Sequence, residues 1–321
     1  MTRRRADVAL IFACFLWGIS FVIVKRALDD ATPLAFAALR FGIGAALLAP
    51  FARLGRLSAR ELLAGLFLAG LLGFGFLAQT SGLVWTTPSR SAFIVAISSV
   101  LAPAMAAVSL RERPGWPLVT AVLLAALGTY WLTAPESGGL NRGDILTLAT
   151  AVLFGIQIVA TTALSRRYDP LRLVWLQIAG TAVLGALGAA LFEQASIHWT
   201  RRFIWSLAYT AVGPTVVALL LQMLAQRYMS SARAALLFCF ETLFAAACSW
   251  MVMGERLSTG QWLGGGLILG GMVLAELRTA PSAVSRQSSA KSRQPSAISH
   301  QLPIDRKVDV QGPHGDITGP S

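Results

Sequence analysis

Glu241 lies about ten residues into the apolar run Ala232–Met253, and Arg40 about six residues into Leu34–Phe51. At 1.5 Å per residue, Arg40 is roughly 9 Å along such a helix. An ionised group in an apolar interior is costly, so it faces a cavity or a partner. A carboxyl at that depth can exchange a proton or hold part of a solute, or it can bond to a neighbouring helix. A guanidinium can snorkel to the surface or attract an anion. Trp17, Ser20, Ser98, Ser99, Gln157, Gln177 and Thr242 stand in other apolar runs and add an aromatic face, hydroxyls and amides. These residue types offer reversible binding and proton exchange. The groups for other chemistry are missing or misplaced. His198, His300 and His314 fall in a connection and in the C-terminal stretch, with no metal-ligand spacing. Cys14, Cys239 and Cys248 all fall inside apolar runs, without the paired spacing of a metal site, as packing residues do. No phosphate-cradling Gly-x-x-x-x-Gly-Lys-Ser/Thr loop occurs. An enzyme is disfavoured, and no cofactor or metal is expected.

The elements that must position these residues are set by composition. Of the 321 residues, 55% are hydrophobic and 13% charged, where soluble domains carry about 25% charged residues. Mean hydropathy is +0.63. The apolar residues form blocks long enough for a hydrocarbon core about 30 Å thick. The predicted spans are Val8–Ala27, Leu34–Phe51, Leu62–Val84, Ser91–Leu110, Pro117–Ala134, Asp144–Leu164, Leu171–Phe192, Phe203–Ala225, Ala232–Met253 and Gln261–Leu277. Membrane barrels use strands of about ten residues of alternating polarity, a pattern not found. The expected fold is an all-α integral membrane protein. The first block reads as a retained helix, since it lacks a clear small-residue cleavage site.

The net charge is +12, and the basic residues fall between the blocks. They read as topology signals and contacts to anionic lipid, with no nucleic-acid partner. With the N-terminus inside, Arg3, Arg4, Arg5, Arg53, Arg56, Arg60, Arg111, Arg113, Arg166, Arg167, Arg172, Arg227 and Arg233 are cytoplasmic. Lys25, Arg26, Arg90, Arg142, Arg201, Arg202 and Arg256 are outside, so the count is 13 against 7. Both termini are expected in the cytoplasm and the protein in the plasma (inner) membrane. Residues 278–321 are rich in Ser, Pro, Gln and Arg and predict a disordered basic tail.

An internal repeat organises the rest. A shift of 137 residues lays Asp7 on Asp144, Gly18 on Gly155, Ser20 on Gln157, Pro33 on Pro170 and Arg40 on Gln177. From the third helix the shift becomes 143, laying Gln79 on Gln222, Arg90 on Arg233, Ser98 on Glu241, Ser99 on Thr242 and Glu112 on Glu255. The halves, 1–135 and 136–277, each hold five helices. An odd number inverts the second half, giving ten transmembrane helices as two inverted five-helix repeats, a transporter signature. Polar residues at both members of a repeat pair suggest a shared internal surface. Gln79 and Gln222, near helix ends, read instead as helix–helix hydrogen bonds. Arg90 and Arg233 read as interfacial anchors or as members of gating ion pairs. Gly260, Gly264, Gly266 and Gly270 give small-xxx-small spacings in helix ten, which suit packing within the monomer or a homodimer.

Several stretches resemble the EamA-like members of the drug/metabolite transporter superfamily. They are Trp17-Gly18-Ile19-Ser20-Phe21-Val22, Ala38-Leu39-Arg40-Phe41, Gln79-Thr80-Ser81-Gly82-Leu83, Arg111-Glu112-Arg113-Pro114, Arg233-Ala234-Ala235-Leu236 and Gly254-Glu255-Arg256-Leu257-Ser258. The likeness runs over residues 6–277. It implies export or import of small metabolites by alternating access and names no solute. The expected function is a secondary transporter of an amino acid-like or other small polar or amphipathic solute, with export favoured and proton coupling an option. A lipid translocator and a non-transporting membrane receptor are the alternatives. The chain departs from the family in helix nine, where Glu-Pro is common and Glu241-Thr242 stands here. Helix nine should therefore be straighter.

Overall fold

The computed structural model describes residues 1–52, 55, 57–110, 115–133, 140–254 and 258–279. Arg53, Arg56, Arg111, Glu112, Arg113, Glu255, Arg256 and the stretch 280–321, on all of which the sequence reading drew, lie outside the described residues.

Among the described residues, eight helical segments are long and apolar enough to cross a membrane. They are α1 (Arg3–Ala27), α2 (Pro33–Phe51), α3 (Ala59–Gly82), α4 (Pro88–Ser109), α6 (Arg142–Ser165), α7 (Pro170–Phe192), α8 (Arg201–Gln226) and α9 (Ser231–Met253). Two further helices, α5 (Trp116–Thr133) and α10 (Thr259–Thr279), lie against each other.

The helix starts follow from local chemistry. The first N–H groups of a helix have no intrahelical acceptor. Thr2, Ser58, Thr87, Asn141, Asp169, Thr200 and Ser230 supply one, each accepting from the backbone N–H three residues on. Pro33, Pro88 and Pro170 open their helices, where a missing N–H costs little. Gly254, at φ 67°, ends α9 in the left-handed conformation that a side chain would disfavour.

Two helices are irregular. In α4 the α-helical ladder lapses at Ala96, and the Ser99 N–H donates to Ala96 O at 3.0 Å. Pro103 lies one turn on. It has no N–H for the Ser99 carbonyl and its ring crowds that carbonyl. In α8, Pro214 sits inside the widened turn Ala211–Val217, after which the Ala218 N–H reaches back five residues to Gly213 O. The prolineless α9 runs unbroken over 23 residues.

Packing pairs α1 with α9, α4 with α6, α2 with α7, α3 with α6 and α7, and α1 with α8. Glycines allow close approaches between helices. A Cβ on Gly18 would stand 2.5 Å from Phe244 Cβ and 2.8 Å from Glu241 O. A Cβ on Gly155 would stand 3.2 Å from Leu101 Cβ and 3.6 Å from Ser98 O. On α10, Gly271 meets Ala121 O of α5, whereas a Cβ on Gly266 or Gly270 would meet nothing within 4 Å. Large apolar side chains such as Phe67, Leu187 and Leu191 are exposed on the outer surface. So are Trp85, Trp116, Trp199, Trp205, Trp250 and Trp262, close to helix ends, the placement favoured at membrane–water interfaces.

Candidate functional site

Six helices, α1, α3, α4, α6, α8 and α9, enclose a central cavity of about 50 Å³. That exceeds the roughly 10–15 Å³ a single water needs and falls well below the roughly 150 Å³ of a cavity that takes up benzene. A metabolite would therefore need the helices to part. Phe21, Phe76, Phe154 and Phe238 give it aromatic walls. Trp17, Ser20, Ser98, Ser99, Gln157, Glu241 and Thr242, all singled out in the sequence, line it. Gln79 and Gln222, read there as helix–helix hydrogen-bonding residues, line it as well.

Several of the polar side chains have identifiable supports. The widened turn of α8 leaves the Pro214 carbonyl free of its usual helical donor, and the Trp17 indole N–H donates to it at 2.9 Å. Ser20 Oγ donates to the Trp17 carbonyl at 2.7 Å. Thr242 Oγ1 donates to Ala92 O at 3.4 Å, tying α9 to α4 beside the lapse at Ala96. Three glutamines form a directed chain. Gln222 Nε2 donates to Gln157 Oε1 at 3.0 Å, Gln157 Nε2 to Gln177 Oε1 at 3.2 Å, and Gln177 Nε2 to Leu173 O at 3.3 Å. This chain fixes the amide orientation of Gln157, and it runs from the cavity wall of α8 through α6 into α7.

Glu241 is the one ionisable group among the described lining residues. No basic side chain among the described residues forms a salt bridge with it. Gly18 sets its position, because the bare glycine backbone lets the Glu241 carbonyl come close to α1.

Arg40 and Gln177 stand behind this wall rather than in it. Arg40 is 2% exposed. Its Nε donates to Thr215 Oγ1 at 2.7 Å, and Thr215 Oγ1 donates to Thr210 O at 2.8 Å across the widened turn of α8. The guanidinium carbon lies 5.1 Å from the ring centroids of both Phe41 and Phe76. Phe76 thus has the cavity on one side and the cation close by. Its ring also meets Phe154 edge-on, at 5.1 Å. Pro214 was the sequence signal for this arrangement, since an internal proline marks a helix irregularity.

The EamA-like transporter family matches residues 4–134 and 141–277. A protein of Archaeoglobus fulgidus named "Uncharacterized transporter" is 34% identical over 277 residues, covering 86% of this chain and 87% of its own. "Uncharacterized transporter YoaV" of Bacillus subtilis is 21% identical over 277 residues, covering 83% and 95%. A solved structure, described as "Crystal structure of protein", superposes with a TM-score of 0.69 at 20% identity, covering 89% of this chain and 99% of that one. That last likeness concerns the fold alone. The two family matches together take in most of the sequence, including every helix that lines the cavity, and the chain belongs to the EamA-like transporter family, a family of multi-pass membrane transporters and not of enzymes.

Proposed function

We propose that the protein is a secondary transporter of a small amphipathic, amino acid-like solute, working by alternating access with Glu241 as the proton-exchanging group. The observation that carries this is the Glu241 carboxyl, the one ionisable group among the described lining residues, in a cavity otherwise walled by aromatic and aliphatic side chains, amides and hydroxyls. Such a site offers rings for an apolar body, amides and hydroxyls for polar groups, and one charge that a proton or a solute cation can neutralise.

The same reading takes α5 and α10 as spans, making ten in two inverted five-helix halves. Packing agrees with the sequence repeat. The pairs α1–α9 and α4–α6 exchange under it, and so do the glycine approaches, since Glu241 and Phe244 correspond to Ser98 and Leu101. Near-equivalent halves can trade conformations, and the trade turns a cavity open to one side into one open to the other.

The test begins with a thermal-stabilisation screen of metabolite classes on the purified protein, since a ligand of the folded state raises its stability. Hits go to counterflow and pH-gradient-driven flux in proteoliposomes. Glu241→Gln is expected to abolish gradient-driven flux while the protein remains folded. Unchanged pH-dependent flux in that variant would sink the coupling role. Absence of counterflow in the parent would favour a receptor.

A further inference from the structure

Two ion pairs stand apart from the others. Arg233 Nε and Nη2 donate to Asp7 Oδ1 and Oδ2 at 2.9 and 2.8 Å, joining the N-terminal ends of α9 and α1. Arg90 Nη2 lies 2.6 Å from Asp144 Oδ2, joining the first turns of α4 and α6. The sequence repeat converts one pair into the other, Asp7 to Asp144 at 137 and Arg90 to Arg233 at 143. Each pair thus bridges the two halves. The remaining pairs have no such counterpart. Glu61 and Arg172 correspond to Ile204 and Ala35, and Asp30 corresponds to Arg167.

Each pair also has a latch beside it. Lys25 Nζ, at the end of α1, donates to Thr86 O at 3.1 Å and to Leu83 O at 2.5 Å in the connection before α4. Arg166 Nη2, at the end of α6, donates to Met229 O at 2.7 Å in the connection before α9. Thr86 and Met229 are again 143 apart. Helix α1 therefore has one pair at Asp7 and the other cluster at Lys25, a separation of about 27 Å at 1.5 Å per residue. That is close to the thickness of the hydrocarbon core.

Helix energetics do not call for these arginines. Both occupy the third helical position, where the macrodipole disfavours a cation. The Arg90 pair also lies between two spaces. Arg90 lines a cleft of about 430 Å³ together with Lys25 and Thr86. Ala92 and Val95, less than two turns further along the same helix, line the central cavity.

We infer that Arg90–Asp144 and Arg233–Asp7 are the two gates of the pathway, one at each membrane face, both closed in this structure, and that transport opens them in turn. The inference rests on the transporter reading and adds the residues that decide sidedness. The gates are built unequally. Asp144 is fully buried and also accepts from Thr86 Oγ1 at 3.0 Å and from the Asn141 N–H at 2.9 Å, whereas Asp7 serves Arg233 and is partly exposed. The Asp7 gate is the one that parts more readily.

The test reads access rather than flux. In the full chain carrying Cys14→Ala, Cys239→Ala and Cys248→Ala, Ser98→Cys places one thiol in the cavity wall. A membrane-impermeant thiol reagent is applied from either side of sealed vesicles. Asp144→Asn should raise the labelling rate from its own face on the order of tenfold, the usual range of coupling between sites, and lower it from the other face. Asp7→Asn should do the reverse. The charge-swapped pair, Asp7→Arg with Arg233→Asp, should return labelling to the parental pattern. Arg90→Lys and Arg233→Lys, which keep the charge, give smaller shifts of the same sidedness and serve if the asparagine variants do not fold. Labelling unchanged by every variant, or raised equally from both faces, overturns the gates. Sided labelling without flux of any solute upholds the gates and counts against the transport reading. Flux without sided labelling does the opposite.

Discussion

Among the described residues, Arg40 heads the fully buried side chains by size, and no acidic group among them pairs with it. A buried cation without a counter-charge is stable only if other groups replace its water. Here Thr215 Oγ1 and the faces of Phe41 and Phe76 take part of that role, and the buried Nη2 has no hydrogen-bond partner among the described residues. A charge-assisted hydrogen bond contributes about 1.5–3 kcal/mol and a desolvated cation–π contact up to about 2 kcal/mol. Arg40→Ala is therefore expected to destabilise the protein by about 2–4 kcal/mol, seen as a lowered apparent melting temperature in detergent. Arg40→Lys should recover only part of that, because an ammonium has no planar face to lie between two rings. A solute hit from the stabilisation screen that is lost in Arg40→Lys while the fold persists would bring this cation into recognition. Retention of the hit would leave it a support for Phe76. Glu241 contrasts with it, sitting in the wall itself, where the sequence had placed both residues. Depth in an apolar run told that both were special. It did not tell which would touch the cavity, because one residue of rotation on a helix turns a side chain by 100°.

At the scale of the elements, the contacts of α1 with α9 and of α6 with α4 are versions of one another with different tolerances. Gly18 has no room for a methyl group, whose neighbours would include the backbone atoms Glu241 O at 2.8 Å and Ala245 N at 2.9 Å. Gly155 has its nearest neighbour at 3.2 Å, a side-chain carbon of Leu101. Gly18→Ala is therefore expected to cost about 1–3 kcal/mol by overpacking, and Gly155→Ala less. Thermal unfolding of the two variants side by side checks the order, and equal losses would show that the α1–α9 contact adjusts freely. Because Glu241 lies on that contact, Gly18→Ala should also weaken any solute effect that depends on Glu241. The lapse in α4 at Ala96 and the widened turn in α8 differ in the same sense. Each follows from a proline, Pro103 and Pro214, and neither proline has a counterpart in the other half, where Ala246 and Leu71 stand. The two halves thus share a plan and differ where they meet the cavity.

For the whole molecule, the excess of arginine in one set of connections predicts that both ends of the chain face the cytoplasm. Tags at either end, probed with a protease in inside-out and right-side-out vesicles, should be cleaved only when the cytoplasmic face is presented. With that orientation Asp7, near the N-terminus, lies at the inner face, and cleavage of either tag from the other side would place the Asp7 gate at the outer face instead. The sequence by itself determined the class of molecule. Blocks of apolar residues set helices of bilayer length, caps and prolines set where they start, and pairs such as Gly18 with Gly155 and Arg90 with Arg233 set the duplication. These are one-dimensional signals, carried by hydrophobic length and residue spacing. The tertiary structure alone decided the partners. Asp7 and Asp144 entered the sequence reading as markers of the repeat and became the counter-charges of Arg233 and Arg90. Gln79 and Gln222, near helix ends, turned out to line the cavity, whereas Arg40 and Gln177 stand one layer behind it. Which face of a helix looks inward depends on its rotation against neighbours more than 100 residues away in the chain. In an apolar solvent, composition marks that face weakly, because lipid and protein interior accept the same residues.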